Sequence, residues 1–560
     1  MTAVRLILAG TLVTACSSSA ELPPVRFANA QPVAAVDDRR DVAKPPATRV
    51  FYPAIYNFDG VLARRLPRAL ELPRARRALG VNAIDEVPDS TWFTNRIGQR
   101  DVSDDEIRNG PLTAESPELH RPWTVRSTKA GGASIGFTIT DSRGIKYVLK
   151  FDDAGSAEIE TGFDVIVNRL LWAAGYNVPE DQIVYFRDDD LVVAPDAVMK
   201  DADGSPVGRL DRAELERRLA IIDHGKDGRI RGLVSRWIAG KVLGGHPGEG
   251  VRRDDPNDRI PHELRRDLRG AYAIFAWLDH VDIHEGNFVD SWVSDSLDPR
   301  RHYVRHYFVD FGRSLSAMAL FQHDRRRGHS YLVDFPEIAR TFFTLGLLDR
   351  DWQHRPLNPQ PYVGIFDAGT FDPGEWHPDW PAYLPFVTAD RFDKFWGAKI
   401  VGRFTRDQIA AAVDAARLAD PGARAYLVDT LFARRQQTIA YWFARVNPLD
   451  GFVAFATDAG TRLCFDDLAI ANQLFDVATT RYSITTYSAG AEKLGSGITV
   501  TAAASGHACV DIALAPASDH EGYTIVRVMT ARPGFAGETD VHVALRPDTG
   551  LPRVIGIWRR

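Results

Sequence analysis

The stretch from His280 to Asp290, HVDIHEGNFVD, places two histidines, three carboxylates and an asparagine within eleven residues, directly behind the apolar run AYAIFAWL. Imidazole and carboxylate groups move protons, and carboxylate and amide oxygens hold hard divalent cations. Such groups work only when a rigid element aims them. The apolar run is therefore expected to be a buried helix that ends at the chemistry. Two further polar points flank it: Lys150 in YVLKFD upstream, and Asp310-Phe311-Gly312 downstream.

The elements that must position these groups are legible from periodicity. From Trp123, WTVRST, KAGGASIG, FTIT, DSRG and IKYVLKF read as strand, glycine-rich turn, strand, turn, strand. Alternation along the third strand puts Lys150 on the same side as Val148. Gly131, Gly132 and Gly136 mark the turn. A helix is expected from about Ser156, because Ile159, Phe163, Ile166, Val167, Leu170 and Leu171 recur at helical spacing. Gly175 ends it, and Pro179 follows. Residues 187–261 are charged and glycine-punctuated, with RGLVSRWIAG the most strand-like part. HELRRDLRGAYAIFAWLDH reads as a long helix with a basic outer face and an apolar inner one. NFVDSWV and HYVRHYFVDFG make a hairpin, and residues 380–446 are helical again. After NPLDG the period becomes two, with short strands between turn residues, which predicts a small β-sandwich.

This order of parts resembles the protein-kinase-like fold. His280, Asp282 and Asn287 stand in an H-x-D-x-x-x-x-N arrangement. The same loop is similar to the DLHPGN type of aminoglycoside phosphotransferases, with His284 two residues after the aspartate. The resemblance is to the HipA-like and aminoglycoside-phosphotransferase-like branches. It covers residues 123–320 by motif and reaches 446 by helical content. It implies an α+β, bilobal domain with a strand-rich N-lobe and a helical C-lobe, ATP and Mg2+ as cofactors, and a hydroxyl acceptor. Within it, Val148 would touch adenine and Lys150 the α- and β-phosphates. Backbone N–H groups of the turn at Gly131, Gly132 and Gly136 would approach the phosphates. Asp282 would orient or deprotonate the acceptor, and Asn287 and Asp310 would hold Mg2+. His280 would brace the loop, and His284 the D-F-G segment or the phosphates. Among the helix acids Glu158, Glu160 and Asp164, the expected partner of Lys150 is Glu158, with Asp164 second. The chain departs from the pattern in three ways: Val281 stands where an arginine would precede Asp282, no A-P-E follows, and the 287–310 connection is long. These speak against activation-loop control and a standard peptide groove.

The chain has 560 residues, too many for one core, with 45% hydrophobic and 25% charged residues. A formal net charge of −6 argues against broad nucleic-acid binding. The N-terminus MTAVRLILAGTLVTACSSSAELPP carries Arg5, an apolar run from Leu6 to Val13, and VTAC. It resembles the lipobox of bacterial lipoproteins, which implies lipidation of Cys16, a bilayer anchor and a cell-envelope address. Ser17 after the cysteine favours the outer membrane. Cys464 and Cys509 are then expected to form one disulfide in an oxidising compartment. The expected divisions are a signal peptide at 1–15, a flexible tether at 16–48, an extension at 49–122, lobes at 123–200 and 201–446, and the β-sandwich at 450–560. Two functions follow from these features. One is an exported kinase acting on a protein, sugar or lipid hydroxyl. The other is an envelope-anchored pseudokinase, scaffold or binding lipoprotein.

Overall fold

Strand-forming residues between 123 and 236 build one seven-stranded mixed sheet. Its strands are β1 (Trp123–Thr128), β2 (Gly136–Thr140), β3 (Lys146–Lys150), β4 (Asp181–Phe186), β5 (Leu191–Lys200), β6 (Pro206–Arg209) and β7 (Ile230–Arg236), in the order β4-β7-β3-β2-β1-β5-β6. β1 and β5 run parallel, and the other neighbours are antiparallel. Alternate residues, including Val125, Phe137, Ile139, Leu149, Val184 and Val234, form its buried face. The sheet continues past residue 200, because β7 sits between β3 and β4. The expected boundary at 200 therefore falls inside the sheet.

This computed structural model describes residues 25–64, 76–131, 135–202, 204–321, 323–356, 363–380, 383–458 and 460–560. The expected signal peptide, Cys16, Ser17 and Gly132 lie outside the described residues. The five longest described helices are α1 (Ile159–Ala174), α2 (Arg266–Trp277), α3 (Arg391–Val401), α4 (Arg406–Ala415) and α5 (Pro421–Phe443). They share one large core in which Phe163, Ile274, Trp277, Phe395, Ile409 and Leu431 are buried. Every residue of α2 is buried, so the expected basic outer face is absent. Arg266 and Arg269 instead reach Asp393 of α3 at 2.7 and 2.8 Å. Buried charges persist only when paired in this way.

The extension also joins that core through Trp92, Phe93, Ile97 and Ile107. Residues 25–48, expected as part of a flexible tether, are held along the protein instead. Phe27 packs edge-on against His542 at 4.8 Å, Asp38 accepts the Thr91 N–H at 2.7 Å, and Val42 N–H donates to the His302 carbonyl at 2.7 Å.

A three-stranded sheet joins β8 (Lys241–Val242), which precedes α2, to β9 (Phe288–Ser294) and β10 (His302–Phe308), which follow it, in the order β10-β9-β8. The C-terminal strands form two more sheets. One holds β11 (Leu449–Thr457), β12 (Gly460–Asp467) and β15 (His507–Ile512). The other holds β13 (Arg481–Ser488), β14 (Lys493–Val500), β16 (Thr524–Arg532), β17 (Phe535–Leu545) and β18 (Pro552–Arg559). Phe465 and Val510 of the first and Tyr482, Val526 and Val541 of the second share one core. Cys464 and Cys509 stand directly opposite in the β12–β15 ladder and form a disulfide with Cα atoms 4.1 Å apart. Closing a loop of 45 residues contributes about 3–4 kcal/mol in the chain-entropy account.

Candidate active site

The hairpin β9–β10 begins and ends at the polar residues. Phe288 pairs with Phe308, and the Val309 N–H donates to the Asn287 carbonyl at 3.1 Å. Asn287 and Asp310 are thereby brought side by side, although 23 positions separate them in sequence. Asp310 takes a left-handed φ of +67°. For a non-glycine residue that is a strained choice, held by its surroundings.

Lys150 arrives from the sheet. It is the last residue of β3, opposite Gly136 of β2 and Leu233 of β7. Its Nζ lies 2.8 Å from Asp310 Oδ1 and 3.9 Å from Asp164 Oδ2. Burial by itself would lower the ammonium, but Asp310, Asp164 and Asp181 outweigh it and raise it. Lys150 in turn holds the Asp310 carboxyl well below the usual range. Asp310 remains 47% exposed, so the carboxylate of this pair is open to solvent.

Of the two acids expected beside Lys150, the structure brings only Asp164 near. Glu158 precedes the first turn of α1 with a φ of +71°, and its carboxylate accepts the Ala419 N–H at 2.9 Å. The helix starts one residue too late for Glu158 to share its inner face. Asp164 is buried there and also accepts the Phe311 N–H at 3.2 Å. Burial, then the neighbouring Asp181, raises the Asp164 carboxyl. Glu160 goes elsewhere. It lies 3.3 Å from Arg313, burial pushes it up to about 7, and a Cβ on Gly312 would come within 2.6 Å of its Cγ. Gly312 is thus glycine because α1 passes against the backbone there.

The loop after α2 is tightly braced. Asn287 Nδ2 donates to the Asp282 carbonyl at 2.7 Å, which leaves its amide oxygen as the atom free for a cation. His284 Nδ1 accepts the Gly286 N–H at 3.0 Å, so the ring proton sits on Nε2, which is 3.5 Å from Asp282 Oδ1. His284 therefore addresses Asp282, not the D-F-G segment. Its other face stacks on Phe51 of the extension at 4.8 Å. Burial raises the Asp282 carboxyl, with His284 opposing.

His280 Nδ1 lies 2.8 Å from Ser314 Oγ, and its ring edge meets Phe311 at 5.8 Å. Burial pushes its imidazole down to about 4. An unfolded chain takes up that proton near pH 6.5. The stability carried by neutral His280 is therefore complete above about 6.5 and is lost as pH falls toward 4, by on the order of 2–3 kcal/mol. Urea midpoints at pH 7 and pH 5 are expected to differ more for the wild type than for His280→Asn. An equal difference would show that His280 titrates normally.

The glycine turn differs from expectation at one end. Gly131 takes a φ of +66° in the turn, but Gly136 is already the first residue of β2. A Cβ there would sit 2.6 Å from the Leu149 carbonyl oxygen and 3.2 Å from Lys129 Cδ. Gly136 admits its neighbours rather than cradling a ligand. Val148 is half-buried in the middle of β3. Two groups that sequence reasoning missed also reach the cleft. Burial and the Lys150 charge lower the Lys129 ammonium, and Arg313 stands between Glu160 and Asp153. Arg313 was marked by its place two residues beyond Phe311; no signal marked Lys129.

Taken together, the cleft presents a paired lysine, two oxygen donors suited to a hard cation, and a carboxylate with an imidazole beside it. No family model and no curated protein matches the chain. Among solved structures, a Rio2 kinase from Chaetomium thermophilum, in an ADP/Mg2+-phosphoaspartate complex, is matched at 15% identity over 52% of this chain and 71% of that chain, with a TM-score of 0.19. At that TM-score the likeness carries no weight beside the geometry above.

Proposed function

We propose that the chain is an atypical kinase-like phosphotransferase, bilobal around the cleft of Lys150, Asp282, Asn287 and Asp310. It passes the γ-phosphoryl group of ATP to a hydroxyl. The observation that carries this reading is the convergence of Lys150, on a strand of the large sheet, with Asp310, beyond the hairpin that also presents Asn287. Phosphoryl transfer needs positioning and charge neutralisation more than covalent chemistry, and these groups supply both.

Lys150 would leave Asp310 for the α- and β-phosphates and keep Asp164 and Asp181 as its standing counter-charge. Asp310 carboxylate and Asn287 amide oxygens fit Mg2+, which when bound would neutralise phosphate charge. Asp282 accepts the proton of the acceptor hydroxyl, whose oxygen bonds to the γ-phosphorus as the bond to ADP breaks. Burial raises the Asp282 carboxyl and so favours that proton uptake. The N–H of His284 holds Asp282 in place. The lipobox-like N-terminus would put this activity on a lipid anchor at Cys16 in the cell envelope, with protein, sugar or lipid hydroxyls as acceptors.

Calorimetric titration of the purified protein with Mg-ATP tests the reading. Saturable binding that requires Mg2+ is expected. No binding at millimolar Mg-ATP would leave a scaffold or binding lipoprotein without phosphotransfer.

A further inference from the structure

At the hairpin, His246, Asp290 and His306 converge in a buried cluster. Each is buried, and each offers a ligand atom within 4.8 Å of the other two. The topology explains the meeting. Asp290 and His306 are direct partners in the β9–β10 ladder. The Asp290 backbone bonds to Leu243 and Gly244 at 2.8 Å each, which carries the chain past β8 to His246. His306 Nδ1 is 2.6 Å and His246 Nδ1 3.4 Å from Asp290 Oδ1.

Two observations point to a ligand. Neither ring nitrogen of His246 has a hydrogen-bond partner, although its side chain is 0% exposed. An unpartnered buried polar group of that kind costs about 1–3 kcal/mol. The lining is also acidic. Asp255, Asp258 and Asp290 are all buried; His262 meets Asp258 at 2.7 Å, and among the described residues Arg252 is the guanidinium that reaches Asp290, at 3.3 Å. The nearby Arg265 is spent on Asp267 at 2.7 Å. A buried lining richer in carboxylates than in guanidinium groups suits a cation.

We infer that His246, Asp290 and His306 bind a zinc-type transition-metal ion. Two imidazoles with one carboxylate are a borderline donor set that suits Zn2+ or Co2+ and not Mg2+ or Ca2+. Two ligands about 2.1 Å from a tetrahedral centre stand about 3.4 Å apart, as His246 and Asp290 already do. Binding displaces the proton that His306 Nδ1 shares with Asp290 and opens that contact to the same separation. The surrounding shell is built to orient the ligands: Trp92 stacks on His306 at 3.5 Å, and Arg252 addresses the second Asp290 oxygen. The ion would clamp the hairpin whose two ends present Asn287 and Asp310.

Full-length protein purified without chelator should carry one zinc per chain by elemental mass spectrometry. Chelator should lower its Tm by about 5 °C or more, and added Zn2+ should restore it. Loading with Co2+ should give a visible band of tetrahedral nitrogen and oxygen ligation, lost in His246→Ala and in Asp290→Asn. Protein that takes up neither ion, with a Tm indifferent to chelator, overturns the inference. So does full metal content in both variants. If a variant fails to fold, the wild-type cobalt spectrum decides alone.

Discussion

Asp310→Asn is expected to abolish Mg2+-dependent nucleotide binding and to lower phosphoryl transfer by about a thousandfold or more. Asparagine tolerates the left-handed φ of +67° that Asp310 holds, so this variant removes charge without breaking the turn. What it removes is the partner that sits 2.8 Å from Lys150 and an ionised oxygen donor beside Asn287. Asp282→Ala should behave differently. Asp282 lies 3.5 Å from His284 Nε2 and, in the proposed reaction, takes the acceptor proton rather than holding the cation. Nucleotide affinity should stay within a few fold, while transfer falls by about a hundredfold to ten-thousandfold. The two titrations and one single-turnover assay separate the roles. Equal loss of binding in both variants would mean that Asp282 holds the cation together with Asp310, and that the two roles are not separate.

How far the sequence reached can be seen at particular residues. The order of strand, lysine, helix, polar loop and D-F-G was legible because each part is local: alternation, a glycine, an apolar run. Asp164 was legible too, since it follows Phe163 and lies one turn before Val167 and two before Leu171 on the buried face of α1, whereas Glu158 stands before the helix begins. Helical phase along α1 is the guide that selects Asp164. Gly136 was misread because nothing local says that the Leu149 carbonyl and the Lys129 side chain pass within reach of it. The pairing of Asp290 with His306 was hidden for the same reason. It depends on hairpin register, which the seven residues from Asp295 to Arg301 set, and on β8 arriving from far upstream. The role of α2 also escaped, because Arg266 and Arg269 look like surface charges until Asp393 of α3 comes to meet them.

That meeting of α2 and α3 supports the prediction with the largest effect on stability. Gly397→Ala should destabilise the protein by about 2–4 kcal/mol and slow phosphoryl transfer by more than tenfold. In an open helix the same change would stabilise by about 1 kcal/mol. Here the sign is reversed by contact. A Cβ on Gly397 would overlap the Gly270 carbonyl oxygen and lie 3.2 Å from Ala273 Cβ, while Gly270 has the Trp396 ring above it and the Asp393 carbonyl 3.0 Å from where its own Cβ would be. The obstacle is backbone, which cannot rotate aside, so the helices must part. Parting them also strains the Arg266–Asp393 and Arg269–Asp393 pairs, both buried. The catalytic effect follows from connectivity. α2 ends at Trp277, and the next ten residues carry Asp282 and Asn287, so a shift of the helix moves the carboxylate against the phosphates. Gly369→Ala is the control, since its nearest neighbour is the Asp367 carboxylate at 3.5 Å, and it should stay within about 0.5 kcal/mol of wild type. A Gly397→Ala variant as stable as that control would show that α2 and α3 have room between them, and that something other than this contact holds the loop in place.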